Sequence, residues 1–373
     1  MSSNKTLQFN PALSFGQLVQ AITAFAAETS ILIASEPGVG KSSLLPAIAE
    51  YHGDKWRKPG DFFPDDKYIY VYVDCPMMDF ADFGMRIPSH DTKTLEFYTS
   101  SLFHMGDPRP KVIMFDERFK ALKALQPMFT RADLERTIGD IPLPKGSMVF
   151  STTNNASDGV GDTVLAHSAN RLMQVQMRKP TVDEWCAWAT EAGLDAKLRT
   201  AVKMNPLFFQ SYRDGFLDND YIFKPNLGSR AFASPRSLAK CDVVMRNLGK
   251  LSEPVAVAAL SGLVGDNAAQ KLYAVAGLVN DTTPPDEIFA DPNTARLPGK
   301  AGGVYMTIFT AIDRVQVQDD LTALVTFVKR LGHLEYESLF YSSIMRNPKK
   351  KLMGNRNNDC RNWASANLDL LNV

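Results

Sequence analysis

Over roughly the first 180 residues the spacing of apolar positions alternates between helical and unbroken runs. From Ser14 the residues Phe15, Leu18, Val19, Ile22 and Phe25 recur at helical spacing, and Ser14 with Gln17 has the form of a capping box. A short run follows, Ile31-Leu32-Ile33-Ala34, then Tyr68-Ile69-Tyr70-Val71-Tyr72-Val73, rich in β-branched and aromatic residues. Two more runs are Val112-Ile113-Met114-Phe115 and Met148-Val149-Phe150-Ser151. Apart from the tyrosine-rich one, these runs lack polar alternation, as strands covered on both faces do. Met173-Gln174-Val175-Gln176-Met177 does alternate and reads as an edge strand. Five strands with helices between them predict an α/β domain around one parallel sheet, spanning residues 1–180.

After Thr181 the pattern turns helical, over 183–192 and 196–204. A polar, aromatic loop over 212–233 leads to a helix that starts at Ser234-Pro235. Ala, Val and Leu then dominate 255–260 and 268–279, and the Pro-rich stretch 281–286 and a loop over 291–303 precede the final helices.

A length of 373 residues suits two or three compact units. The 41 Lys and Arg balance 41 Asp and Glu, which argues against DNA binding by bulk electrostatics. No apolar run approaches the ~18 residues of a membrane span. The start Met-Ser-Ser-Asn-Lys lacks the apolar core of a secretory signal. Cys75, Cys186, Cys241 and Cys360 are dispersed without CxxC spacing, which fits reduced thiols, so a cytoplasmic location is expected. His52, His90, His104, His167 and His333 lack the spacing of a transition-metal site, and no GxSxG elbow occurs. The locally basic tail, with Lys349, Lys350, Lys351, Arg356 and Arg361, reads as a solvated surface, with contact to nucleic acid or an acidic partner as the alternative.

The chemistry gathers where two runs end. The strand ending at Ala34 enters Ser35-Glu36-Pro37-Gly38-Val39-Gly40-Lys41-Ser42-Ser43, and a helical Leu44-Leu45-Pro46-Ala47-Ile48 follows. Glycines permit a tight turn whose N–H groups, together with a helix N-terminus, face an anion. Lys41 suits β- and γ-phosphates and the Ser42 hydroxyl suits Mg²⁺, although Ser35 stands at the first glycine of G-x-x-x-x-G-K-[ST]. About 75 residues on, Val112-Ile113-Met114-Phe115 delivers Asp116-Glu117 at its carboxyl end, the side of an open sheet where ligands bind. Asp116 is the candidate metal carboxylate and Glu117 the candidate base for water.

With these residues in place the chain resembles an AAA+ ATPase, a P-loop NTPase, of the MoxR-like group, over at least residues 15–238. The resemblance implies a five-stranded parallel sheet in the order 5-1-4-3-2, a helical lid over 181–250 and a helical extension over 251–373. It implies ATP with Mg²⁺, the nucleotide being held by Glu36, Pro37, Gly38, Val39, Gly40, Lys41, Ser42 and Ser43 and the metal by Ser42 and Asp116. Ser151-Thr152-Thr153-Asn154 resembles the family's sensor-1 strand, nominating Asn154 with Asn155 as the alternative. Ala166-His167-Ser168-Ala169-Asn170-Arg171 resembles the segment that carries an arginine finger, nominating Arg171. Arg136, in Leu134-Glu135-Arg136, is the other in-trans candidate. Ala233-Ser234-Pro235-Arg236 resembles the start of the sensor-2 helix, nominating Arg236. The stretch from Cys75 to Pro88 resembles one that lies near the ring's central channel, with local packing as the alternative reading of its Met and Phe residues.

The implied activity is ATP hydrolysis at the interfaces of a homo-oligomeric ring, a hexamer, that remodels or matures other proteins, often with a von Willebrand factor A-type partner. The alternatives are a motor or loader acting on nucleic acid, and a nucleotide-gated scaffold without turnover.

Overall fold

The computed structural model of the protein describes residues 12–56, 65–155, 171–225 and 230–371. The chain divides into two compact units, Met1–Arg178 and Lys179–Val373.

The first unit begins with α1 (Phe15–Phe25). Its expected capping box is present: Ser14 Oγ accepts from the Gln17 amide at 3.2 Å, and Gln17 Oε1 accepts from the Ser14 amide at 2.9 Å. Losing a serine cap costs about 1 kcal/mol. Ser14→Ala should therefore weaken this unit by about that much and Ser14→Asp by little, measured as faster amide exchange in α1 under mild urea.

The strands are β1 (Ile31–Ser35), β2 (Ile69–Asp74), β3 (Gly84–Ser89), β4 (Thr94–Thr99), β5 (Lys111–Asp116), β6 (Thr137–Ile138), β7 (Ile141–Pro142), β8 (Met148–Asn154) and β9 (Met173–Gln176). Five of them form a parallel sheet in the order β2-β5-β8-β1-β9, so the expected five-stranded order holds, with Met173–Gln176 at one edge. Alternate residues of the same strands feed opposite faces. Ile31, Ile33, Val112, Met114 and Phe150 pack with Leu18, Ile22 and, from α2 (Leu44–Tyr51), Leu44, Leu45 and Ile48. Val71, Val73, Ile113, Phe115 and Val149 pack on the other side with Phe83, Phe103 and, from α3 (Gln126–Leu134), Phe129 and Ala132. Burial on both faces explains why β5 and β8 show no polar alternation.

Two antiparallel hairpins, β3–β4 and β6–β7, stand outside the main sheet. Asp140, in the β6–β7 turn, accepts from Arg86 of β3 at 2.6 Å and from Arg131 of α3 at 3.2 Å. In the stretch from Cys75 to Pro88 the residues Cys75, Met78 and Phe83 are buried in the core, while Met77, Phe80 and Met85 are exposed. Beneath the sheet lies a fully buried ion pair, Arg118 with Asp133. Burial pushes the Asp133 carboxyl above its usual range, against the pull of Arg118.

The second unit is helical, and Val182–Glu191 and Ala196–Met204 match the expected spans to within a residue. One hydrophobic cluster joins Trp185, Leu198, Phe208, Leu238, Leu260, Phe309, Phe327 and Phe340. Within it Arg199 is buried, paired with Asp313, its guanidinium 4.7 Å from the centre of the Phe309 ring. All four cysteines are buried and unpaired, and burial raises every thiol: Cys186, Cys241 and Cys360 to about 12, and Cys75 further. No helix among the described residues is long and apolar enough to cross a membrane.

Candidate functional site

The loop after β1 takes the shape that its glycines predict. Gly38 and Gly40 adopt φ of 77° and 111°, in the left-handed region where a side chain is strained. A Cβ on Gly40 would meet nothing within 4 Å, so backbone conformation rather than crowding calls for glycine there. Val39 is buried in the core cluster and anchors the loop between the two glycines. Lys41–Ser43 then form one tight helical turn that runs into α2.

Strand register assembles the rest. Ser35 of β1 pairs with Asn154 of β8, and the buried Lys41 lies against both ends. Lys41 Nζ donates to Asn154 Oδ1 at 2.8 Å and to Ser35 Oγ at 2.9 Å, with the Glu36 carbonyl at 3.3 Å. The serine that departs from the phosphate-loop pattern thus supplies an acceptor for the loop's own lysine. Lys41 also fixes the Asn154 amide: its oxygen takes the ammonium, which turns its NH₂ donor the other way. The neighbouring Asn155 accepts from Gln176 Nε2 of β9 at 3.0 Å. Asn154 is thereby joined to the phosphate-loop lysine.

At the end of β5, Asp116 is buried, and Asp74 of β2 lies next to it in register. Tyr72 donates to Asp116 Oδ2 at 2.8 Å, and Thr152 of β8 donates its hydroxyl to Oδ1. Burial, with the Asp116 hydrogen bond second, raises the Tyr72 pKa well above the phenol range, so the phenol keeps its proton. Burial, then repulsion from Asp116 and Glu117, raises the Asp74 carboxyl.

Glu117 sits at φ 50°, unusual for a non-glycine residue, and its amide donates to Thr152 Oγ1 and Asp116 Oδ1, both at 3.2 Å. Its carboxylate accepts from Lys120 Nζ at 2.6 Å. Both partners are about one-third exposed, so the pair contributes under about 1 kcal/mol and opens readily.

The oxygen donors of Asp116 and Ser42 fit a hard cation such as Mg²⁺, which takes one or two protein ligands and fills its shell with phosphate and water. Among the described residues no group of three or more His, Cys, Asp or Glu could hold a metal ion by itself.

Two further nominated residues, Arg171 and Arg136, belong to the same unit. Arg171 is exposed, two residues before β9, while 166–170 of its motif fall outside the described residues. Arg136 is half-buried, at φ 56°, and donates to the Ala26 carbonyl at 2.9 Å. Burial lowers its pKa. Arg236 belongs to the second unit, exposed in the first turn of the helix Pro235–Lys240, whose cap is Ser234 with Pro235 at the first position.

Sequence reading missed Tyr72, Thr152 and Lys120. Tyr72 was visible only as one member of a tyrosine run, and Thr152 as one of two threonines before Asn154.

No protein-family model matches the chain, and no curated protein matches it. Among solved structures, the Holliday junction branch migration motor RuvB of Thermotoga maritima is similar at 14% identity, over 74% of each chain, with a TM-score of 0.36. A proline-to-glycine variant of that RuvB is similar at 13% identity, over 87% of this chain and 84% of the other, also at 0.36. At such scores the reading of the site rests on its own residues.

Proposed function

We propose that this chain is an AAA+-type ATPase that works as a ring and uses ATP hydrolysis to remodel other proteins. One observation carries the reading. β5, β8 and β1 are adjacent parallel strands, and their carboxyl ends carry Asp116 with Glu117 after it, Asn154, and the turn that holds Lys41, with Lys41 bonded to Asn154 and Glu117 to Thr152 of β8.

In the proposed reaction the loop 36–43 binds the phosphates and Lys41 transfers its ammonium from Ser35 to phosphate oxygens. Asn154, its oxygen held by Lys41, presents its NH₂ to the attacking water. Glu117, released from Lys120, takes the proton of that water. When bound, Mg²⁺ on Ser42 and Asp116 would neutralise charge that develops on the phosphates. Arg171 from a neighbouring subunit and Arg236 carry the proposed transition-state cations. The internal bond of Arg136 to Ala26 supports Arg171 over Arg136 for the in-trans role.

Lys41→Met tests the assignment. Losing hydrogen bonds to a charged group costs about 1.5–3 kcal/mol, so affinity for a fluorescent ATP analogue should fall about 10- to 100-fold. Unchanged affinity sinks the phosphate-loop reading. Remodelling is tested by capture of a client on a variant that binds ATP without turning it over.

A nucleic-acid motor has one observation in its favour. Lys349, Lys351, Arg356 and Arg361 are exposed within 13 residues, and the carboxylate in that stretch, Asp359, is paired with Lys329 at 2.6 Å. Stimulation of hydrolysis by DNA or RNA, fading steeply with salt, would favour that reading over protein remodelling.

A further inference from the structure

We propose that Tyr72 is a positioning residue that holds the Asp116 carboxylate in the orientation needed to bind the metal. The inference rests on the ATPase reading and adds to it a residue from a strand outside the motifs that carry that reading.

β2 and the residue before it present a row of tyrosines. Tyr68, Tyr70 and Tyr72 are partly buried against the α1–α2 face of the sheet, while Val71 and Val73 enter the opposite core. Tyr68 and Tyr70 meet edge to face at 6.4 Å, and Tyr70 donates to Asp54 Oδ2 at 2.8 Å. Packing alone would be served by phenylalanine at these places, so the hydroxyls need a reason of their own. For Tyr70 the reason is Asp54, which also accepts from the Lys67 and Tyr68 amides at 3.0 and 3.2 Å and so ties the end of α2 to the start of β2. For Tyr72 it is Asp116.

A carboxylate has two oxygens with two lone pairs each, and its terminal torsion is broad and roughly two-fold. Asp116 Oδ1 takes the Thr152 hydroxyl and the Glu117 amide, whereas Oδ2 takes Tyr72 at 2.8 Å. With a donor on each oxygen the torsion is fixed, and Oδ2 keeps a lone pair for a cation. Removing the Tyr72 hydroxyl leaves Oδ2 with no donor and frees the group to turn about Oδ1.

Outer partners of metal ligands are worth about 10- to 100-fold in metal affinity. Full-length protein with a non-hydrolysable ATP analogue is titrated with Mn²⁺ and followed by electron paramagnetic resonance. Tyr72→Phe should raise the Mn²⁺ dissociation constant about 10-fold or more, while affinity for the analogue in EDTA stays at the wild-type value. Tyr70→Phe, which deletes a hydroxyl from the same row, should leave Mn²⁺ affinity unchanged. Wild-type Mn²⁺ affinity in Tyr72→Phe overturns the proposal alone. Equal weakening in both variants also overturns it, assigning the row a packing role. A wild-type protein that binds no analogue overturns the ATPase reading and this inference together.

Discussion

Arg171→Ala is expected to slow ATP turnover by about 10³-fold or more while leaving ATP affinity close to wild type. A cation that reaches the γ-phosphate only as charge develops stabilises the transition state far more than the bound substrate, so its loss falls on kcat rather than KM. Arg171 is exposed in its own unit, as a residue that serves a neighbouring subunit must be. Mixing provides the sharper measurement. Arg171→Ala subunits retain Glu117, and Glu117→Gln subunits retain Arg171, so co-assembled rings contain interfaces with both groups intact. Two nearly inactive preparations should regain turnover when combined. Full activity of Arg171→Ala, or no recovery on mixing two assembled variants, would remove Arg171 from the site.

Glu117→Gln is expected to reduce turnover by about 10²- to 10⁴-fold, the usual worth of a positioned general base. The amide keeps the shape of the side chain but takes no proton. The Lys120 contact it disrupts is a pair about one-third exposed and three residues apart, so folding stability should change by less than about 1 kcal/mol. ATP should remain bound, which makes this variant the trap for clients. Single-turnover kinetics separate the outcomes: a slow chemical step with unaltered binding supports the assignment, and wild-type hydrolysis by Glu117→Gln would falsify it.

Much of the α/β core was legible because burial on both faces writes unbroken apolar runs into the sequence. β1, β5 and β8 stand where those runs predict, and the Ser14 cap sits where Ser14 and Gln17 place it. The two hairpins were not legible. β3 and β4 are largely exposed, so they carry no core pattern, and their turn takes its left-handed residue from Lys93 at φ 56° rather than from Gly or Asn. β6 and β7 flank a Gly139-Asp140 turn, but with two residues each they are too short to register as strands.

At the site, residues carried by local motifs could be read: Lys41 in a phosphate loop, and Asp116-Glu117 at a strand end. The contacts among them could not. Tyr72 meets Asp116 across 44 positions because β2 and β5 align Asp74 with Asp116, and a register between strands leaves no trace in either strand alone. Ser35 is the instructive case. As a motif position it was a mismatch, and only its pairing with Asn154 across β1 and β8 shows it as a resting place for the lysine.

The buried thiols have a practical consequence. Maleimides and iodoacetamides react with thiolate, and a thiol whose pKa stands near 12 or above is almost wholly protonated at neutral pH, besides being shut away from solvent. The native chain is therefore close to a cysteine-free background for fluorophore chemistry. A dye pair on cysteines introduced at exposed positions, one in each unit, would test whether added nucleotide changes their separation, without first removing Cys75, Cys186, Cys241 or Cys360 from the cores they fill.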